Sequence, residues 1–388
     1  MKGNPKVLIL FASYGDGHFQ ASKALQDAFL RHGITEVIML DLFAEAHPLL
    51  NDLTKFLYIK SFTFLPSVYG WIYNATKRMK HNAPFSEVLH SFGVRKLKQI
   101  LEREQPDLVI NTFPLQVMQK LKEAAGIRIP TYNVLTDFDL HSRWVHPDTD
   151  KYYVATDDLK QAVERMGVPS DRIEVSGIPL KPEFHDPCPS PEIQSKYGLA
   201  PGLQTLLIMA GSYGVMQGLR TMCRQLCEQG ASLQIAVVCG KNKFLQAQME
   251  RAFSEYPHVH VYGFVSRIHE LMAVSSCVVT KPGGITLSEA LSCTLPIIIY
   301  RPVPGQEMEN AAYLTRKGAA LIAKGPAELC RHIHWLSAQP DRLEQMRARI
   351  RSLQKANSSD TIVLDILKCS RMRKARYKIQ PVQRGSSY

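Results

Sequence analysis

The chain has 388 residues, of which 45% are apolar and 21% charged, a globular composition that excludes disordered and fibrous classes and has room for two or three domains. No apolar run approaches the ~18–20 residues of a membrane-spanning helix, and one lysine leads straight into Val7–Ala12, so a soluble, unexported chain is expected. The formal net charge of +12 is concentrated, with eight Lys/Arg against two acids over 47–98 and seven against none over 368–388, which points to an anionic surface as a partner.

Val7–Ala12 is a continuous Val/Ile/Leu run, the pattern of a strand buried on both faces of a parallel sheet. Further strands are predicted at 36–40, 108–111, 131–135, 152–155 and 173–175, mostly separated by helix-length intervals, and this alternation argues for a doubly wound sheet. A proline-rich stretch, Gly177 to Pro191, reads as a linker. The pattern then restarts, with strands predicted at 205–210, 234–238, 258–262, 277–280, 296–300 and 319–322. Helices over 341–355 and 361–374 finish the chain. The fold class is therefore α/β, with two Rossmann-like domains facing a cleft. The eight cysteines are scattered without a Cys-x-x-Cys pair, so free thiols rather than a zinc site are expected.

Between the second strand and Leu108 an insertion, about 47–98, interleaves Phe62, Phe64, Trp71 and other aromatics with Lys55, Lys77, Arg78 and Lys80. Such composition suits an interfacial amphipathic segment, but also a helical hairpin with an aromatic core or a single-strand nucleic-acid binder.

Three loops carry candidate chemistry. The first strand ends at Gly15-Asp-Gly17-His18, which is neither Gly-x-Gly-x-x-Gly nor a Walker loop. Its histidine opens a helix, either as a structural cap or as a general base for a substrate hydroxyl. Gly211-Ser212 follows the first strand of the second half and can offer amides to a phosphate, or be a plain turn. Lys281-Pro-Gly283-Gly284-Ile285-Thr286 joins a strand, a two-glycine turn and a helix start, with Glu289 on nearly the same helix face. A diphosphate on that helix N-terminus and a ribose on Glu289 would describe a nucleoside diphosphate. Gln306 and Glu307 open a further helix beside it and could bind sugar hydroxyls.

These pieces, together with Ile110-Asn-Thr-Phe-Pro114, Leu135-Thr-Asp137-Phe138, His141-x-x-Trp144-Val-His146, Lys151-Tyr-Tyr-Val-Ala155, Gly177-Ile-Pro179, Val238-Cys-Gly-Lys-Asn242 and Pro302-Val-Pro-Gly-Gln306-Glu307, resemble the bacterial processive diacylglycerol β-glucosyltransferases. Those belong with the monogalactosyldiacylglycerol synthases and, more distantly, the peptidoglycan N-acetylglucosaminyltransferase. The resemblance runs from Lys6 to about Ile366. It implies a GT-B glycosyltransferase with an acceptor- and membrane-binding domain over 1–180 and a UDP-sugar domain over 181–355. A helix over 356–375 would cross back to the first domain, and a basic tail over 376–388 has no family role.

By resemblance, His18 is the catalytic base. Gly17, Gly211, Ser212, Phe264, Val265, Lys281, Gly283, Gly284, Ile285, Thr286, Glu289, Gln306 and Glu307 bind the donor, with Phe264 and Val265 framing the uracil. Asp137, His141 and Trp144 lie on the acceptor side. The implied reaction is inverting and needs no metal or other cofactor. It moves glucose from UDP-glucose to diacylglycerol and then to glucosyldiacylglycerol, for membrane glycolipids and lipoteichoic acid anchors. The resemblance also makes the insertion a contact with an anionic membrane rather than nucleic acid, and implies a peripheral protein on the cytoplasmic face of the cell membrane. The residues leave open a galactosyl donor, an amino-sugar transferase, an epimerase on the same fold and a UDP-sugar sensor, as well as the oligomeric state.

Overall fold

A computed structural model describes residues 4–13, 15–46, 70–71, 73, 75, 77, 93–186, 188–228 and 233–379, with the side chains of 125 and 371–379 excepted. Two parallel six-stranded sheets organise the chain. The first has the order β2-β1-β3-β4-β5-β6, from β1 (Val7–Phe11), β2 (Val37–Asp41), β3 (Leu108–Asn111), β4 (Thr131–Val134), β5 (Lys151–Val154) and β6 (Ile173–Val175). The second has the order β12-β11-β10-β7-β8-β9, from β7 (Gln204–Met209), β8 (Leu233–Val238), β9 (Val259–Tyr262), β10 (Cys277–Thr280), β11 (Ile297–Tyr300) and β12 (Ala320–Ala323). Val7, Leu8, Ile9 and Leu10 are buried, as are Ile297, Ile298 and Ile299, because helices cover both faces of each sheet.

Each strand order reverses once, between β1 and β3 and between β7 and β10. Ligands in open α/β sheets bind at the carboxyl ends of strands flanking such a reversal. His18 follows β1, Thr112 follows β3, Gly211 follows β7 and Lys281 follows β10. The two reversal points thus gather the candidate loops.

The last helix, Ser358–Ile379, lies on the first domain. Its Ile362, Val363, Ile366 and Leu367 join a buried cluster with Val7, Leu25, Phe29 and Tyr153. Asp365 accepts from Tyr153 Oη at 2.7 Å and pairs with Lys151 at 2.6 Å. Helix continues through Ile379, past the expected start of the tail at 376, and 380–388 lie outside the described residues. The proline-rich stretch is not wholly irregular, holding a 3-10 turn at Pro182–Phe184 and a helix at Pro191–Lys196 capped by Ser190. Proline at the first helical position has no amide to lose there, which is why helix starts in so proline-dense a run.

Candidate active site

The helix Asp16–Arg31 begins at Gly15, in extended conformation, so Asp16, Gly17 and His18 form its first turn. His18 Nδ1 lies 2.7 Å from the Thr112 carbonyl and 3.1 Å from Thr136 Oγ1. A carbonyl only accepts, so Nδ1 carries the proton and Nε2 is the basic atom. Phe113 meets the ring edge-on at 4.9 Å. Burial lowers the His18 pKa, opposed by the Asp137 charge and the Thr112 carbonyl, and the imidazole is neutral at pH 7. Ser22 and Thr112 share a 2.8 Å hydroxyl contact beneath it.

Across the cleft, Gly283 starts the helix Gly284–Ser292 without any side-chain cap. The first-turn amides are therefore left for a ligand, and the helix dipole favours an anion there. A Cβ at Gly283 would meet nothing within 4 Å, whereas one at Gly284 would come 2.0 Å from the Thr136 carbonyl and 3.1 Å from Asp137 Oδ1. Gly284 is where the two domains touch backbone to backbone. Ile285 abuts Gly17, whose Cβ position lies 3.5 Å from Ile285 Cγ1. Gly211 has φ +79°, and Gly240 (φ +61°) packs so tightly that its Cβ would lie 2.3 Å from the Gly211 carbonyl.

Glu289 sits on the same helix as the glycine turn. Burial raises its carboxyl pKa to about 8, moderated by Lys181 and reinforced by Asp16. Among the described residues no hydrogen bond or ion pair reaches that carboxyl. Burial likewise raises Glu307, moderated by Lys281 and by the Val303 amide that Glu307 Oε2 accepts at 3.0 Å. Gln306 donates to Asp137 Oδ1 at 2.5 Å, and Asn310 donates to the same oxygen at 3.1 Å. Asp137, expected on the acceptor side, is thus joined to the donor-side helix, and burial raises its carboxyl pKa. Phe264 is half-exposed with the Lys241 ammonium 5.3 Å from its ring centre, and Val265 lies beside it, half-buried.

Trp144 is 2% exposed and belongs to the core. His141 is also buried, capping the turn Ser142–Trp144 by accepting from the Arg143 amide at 3.2 Å, and desolvation lowers its pKa to about 3. Lys77 is not a free surface cation, because it lies 2.7 Å from Asp139 Oδ2 and 3.3 Å from Glu309 Oε1. Trp71 is 72% exposed. Lys55, Phe62, Phe64, Arg78 and Lys80 lie outside the described residues.

Several participants carried no role in the sequence reading. Asp16 accepts from Ser212 Oγ at 3.1 Å and lies 3.6 Å from Lys241 Nζ, so it ties the histidine turn to the second domain. Asn310 also accepts from the Phe138 amide at 2.9 Å. For Asp16 its position inside Gly15-Asp-Gly17-His18 was the available signal. Of possible metal-ligand clusters among the described residues, Glu123, His146 and Asp148 form one, and none of them is a site residue.

The family model for monogalactosyldiacylglycerol (MGDG) synthase matches residues 18–180, and that for the glycosyltransferase family 28 C-terminal domain matches 205–368. A processive diacylglycerol beta-glucosyltransferase of Bacillus cereus (strain AH187) is 42% identical over 365 residues, covering 94% of each chain. Among solved structures, S. aureus MnaA with UDP matches with a TM-score of 0.64 at 16% identity, over 95% of this chain and 97% of that one. MurG from Acinetobacter baumannii matches with a TM-score of 0.60 at 14% identity, over 94% and 100%. These two show a shared fold, the two-domain GT-B architecture. The sequence likeness runs almost end to end in both partners, and the chain belongs to the processive diacylglycerol beta-glucosyltransferase family.

Proposed function

We propose that this protein transfers glucose from UDP-glucose to the free hydroxyl of 1,2-diacylglycerol, and then to the glucosyl lipid so formed, with inversion at the anomeric carbon. The observation that carries the reading is the 42% identity, over 94% of both chains, to an enzyme of that name. The geometry supports a route for the chemistry.

His18 Nε2 accepts the acceptor hydroxyl's proton as its oxygen attacks C1 of the sugar, and Nδ1–H stays on the Thr112 carbonyl, which fixes the tautomer. The C1–oxygen bond to UDP breaks, and the departing diphosphate meets the uncapped amides of Gly284–Thr286, the helix dipole and Lys281. The reading needs no metal ion for that charge. Glu289 accepts from the ribose hydroxyls, and Phe264 and Val265 flank the uracil. Gln306 and Glu307 are placed to exchange their present partners, Asp137 and the Val303 amide, for sugar hydroxyls.

The protein acts peripherally at the cytoplasmic face of the cell membrane. None of the described helices is long and apolar enough to cross a bilayer. The lipid acceptor is reached through the insertion, whose cations would each add about 1 kcal/mol near an anionic leaflet.

A galactosyl donor is the second reading, favoured by the match of residues 18–180 to the MGDG synthase model. Incubation with diacylglycerol-containing anionic liposomes and labelled UDP-glucose, with UDP-galactose in parallel, separates the two. A ladder of glucolipids is expected. A single galactolipid would replace the donor assignment, and no lipid product from either donor would overturn the function.

A further inference from the structure

We propose that Gly70, Tyr73 and Lys77 form a clasp across the cleft, in which Lys77 is a positioning residue that holds the sugar-binding loop against the acceptor domain. The inference rests on the donor role proposed above for Gln306 and Glu307.

One ammonium joins two domains. Lys77 Nζ lies 2.7 Å from Asp139 Oδ2, in the loop after β4, and 3.3 Å from Glu309 Oε1, in the first turn of the helix Gln306–Arg316. Closing the cleft brings those two carboxylates together, and without a cation between them they would repel. Tyr73, one turn before Lys77, donates to the same Asp139 oxygen at 3.1 Å and meets His141 edge-on at 5.2 Å. At Gly70 the backbone lies directly on the opposite loop, since a Cβ there would come 2.4 Å from Pro304 Cβ and 3.3 Å from its carbonyl. Positions 70, 73 and 77 share one helix face, while Trp71, off that face, is 72% exposed.

The loops gripped are those that the site uses. Pro304 precedes Gly305, whose φ of 103° suits glycine, and Gln306 then reaches Asp137, two residues before Asp139. The clasp therefore straddles the Asp137–Gln306 bond from outside. A segment that the resemblance places at the lipid surface is, at these positions, a structural part of the donor pocket's closed form.

The test uses the full chain. Lys77→Met, Lys77→Arg, Glu309→Gln, Gly70→Ala and the Lys77→Met/Glu309→Gln double variant are compared for UDP-glucose and UDP affinity without acceptor, for KM and kcat with liposomes, and for liposome sedimentation. Thermal unfolding confirms that each is folded. Lys77→Met, Glu309→Gln and Gly70→Ala should each weaken UDP-glucose binding about fivefold or more, the span of ordinary site-to-site coupling. UDP, which lacks the sugar, should change less than twofold. The double variant should be no worse than its worse parent, Lys77→Arg should recover wild-type affinity within about twofold, and liposome binding should be unchanged.

Single effects that multiply in the double variant would overturn the clasp. So would a Lys77→Met protein that loses liposome binding while keeping UDP-glucose affinity. A wild-type protein making no glucolipid would instead defeat the functional reading. The clasp is then judged by the same comparison using UDP-galactose against UDP.

Discussion

Replacing Glu289 by glutamine removes a carboxyl whose pKa burial pushes up to about 8, while nearly preserving the side chain's shape. Below pH 4.5 this group is protonated in folded and unfolded chains alike, and the folded state keeps its full stability. As pH rises from there to about 8, the unfolded chain releases the proton and the folded chain holds it, so wild-type stability falls across that window and the loss is complete above it. The displacement has a ceiling of about 5 kcal/mol at about 1.4 kcal/mol per pH unit. Partial exposure of the side chain to solvent screens that to about 1–2 kcal/mol. With roughly 2–4 °C of melting temperature per kcal/mol, Glu289→Gln should gain about 3–6 °C on wild type between pH 5 and pH 8.5. Differential scanning fluorimetry across that range, without nucleotide, measures it. A melting difference that is flat with pH would refute the buried-acid argument. The same variant should bind UDP about 2- to 12-fold more weakly, the range for a hydrogen bond between neutral groups, because glutamine offers the ribose one amide oxygen in place of the carboxyl.

His18→Ala should cut turnover by roughly 10²–10⁴-fold while UDP affinity stays within about twofold, and equal loss of both would remove the base assignment. Because burial holds the His18 pKa below the ordinary 6.5, the acid limb of kcat/KM should lie below pH 6.5, and a limb above 7 would contradict a desolvated imidazole. Gly284→Ala places a methyl group where the Thr136 carbonyl stands 2.0 Å away, so transfer should fall about 100-fold or more as closure is blocked, read by activity beside an unchanged far-UV spectrum. Ile366→Ala, at a fully buried position on the returning helix, should cost about 2–5 kcal/mol in urea unfolding, and a loss under about 1 kcal/mol would show that this helix is not anchored as described.

The strands were legible because β1, β7 and β11 are near-continuous Val/Ile/Leu runs between glycine-bearing loops. The Lys281–Thr286 turn was legible for a related reason, since two adjacent glycines before a helix with no cap leave few other uses. What resisted reading were partnerships over long chain separations. Nothing local to Asp137 announces Gln306, 169 residues away, as its partner. Nothing local to Trp144 announces that it is enclosed, which only the packed fold shows. The basic neighbourhood of Lys77 in sequence likewise says nothing of its partners Asp139 and Glu309.

The two passages of the chain between domains run side by side. Ser358 Oγ donates to the Ile178 carbonyl at 2.8 Å and Ser359 Oγ to the Leu180 carbonyl at 2.7 Å, while Gly177, at φ +82°, leaves room for Lys355 within 2.7 Å of a Cβ position. Like a door hung on two pins set close together, such a joint resists twisting and sliding and keeps one soft axis. The cleft then opens by rotation about that axis, without the halves losing alignment. For an enzyme that returns to its own product, this means each fresh donor is presented along the same arc to an acceptor that need not be sought again.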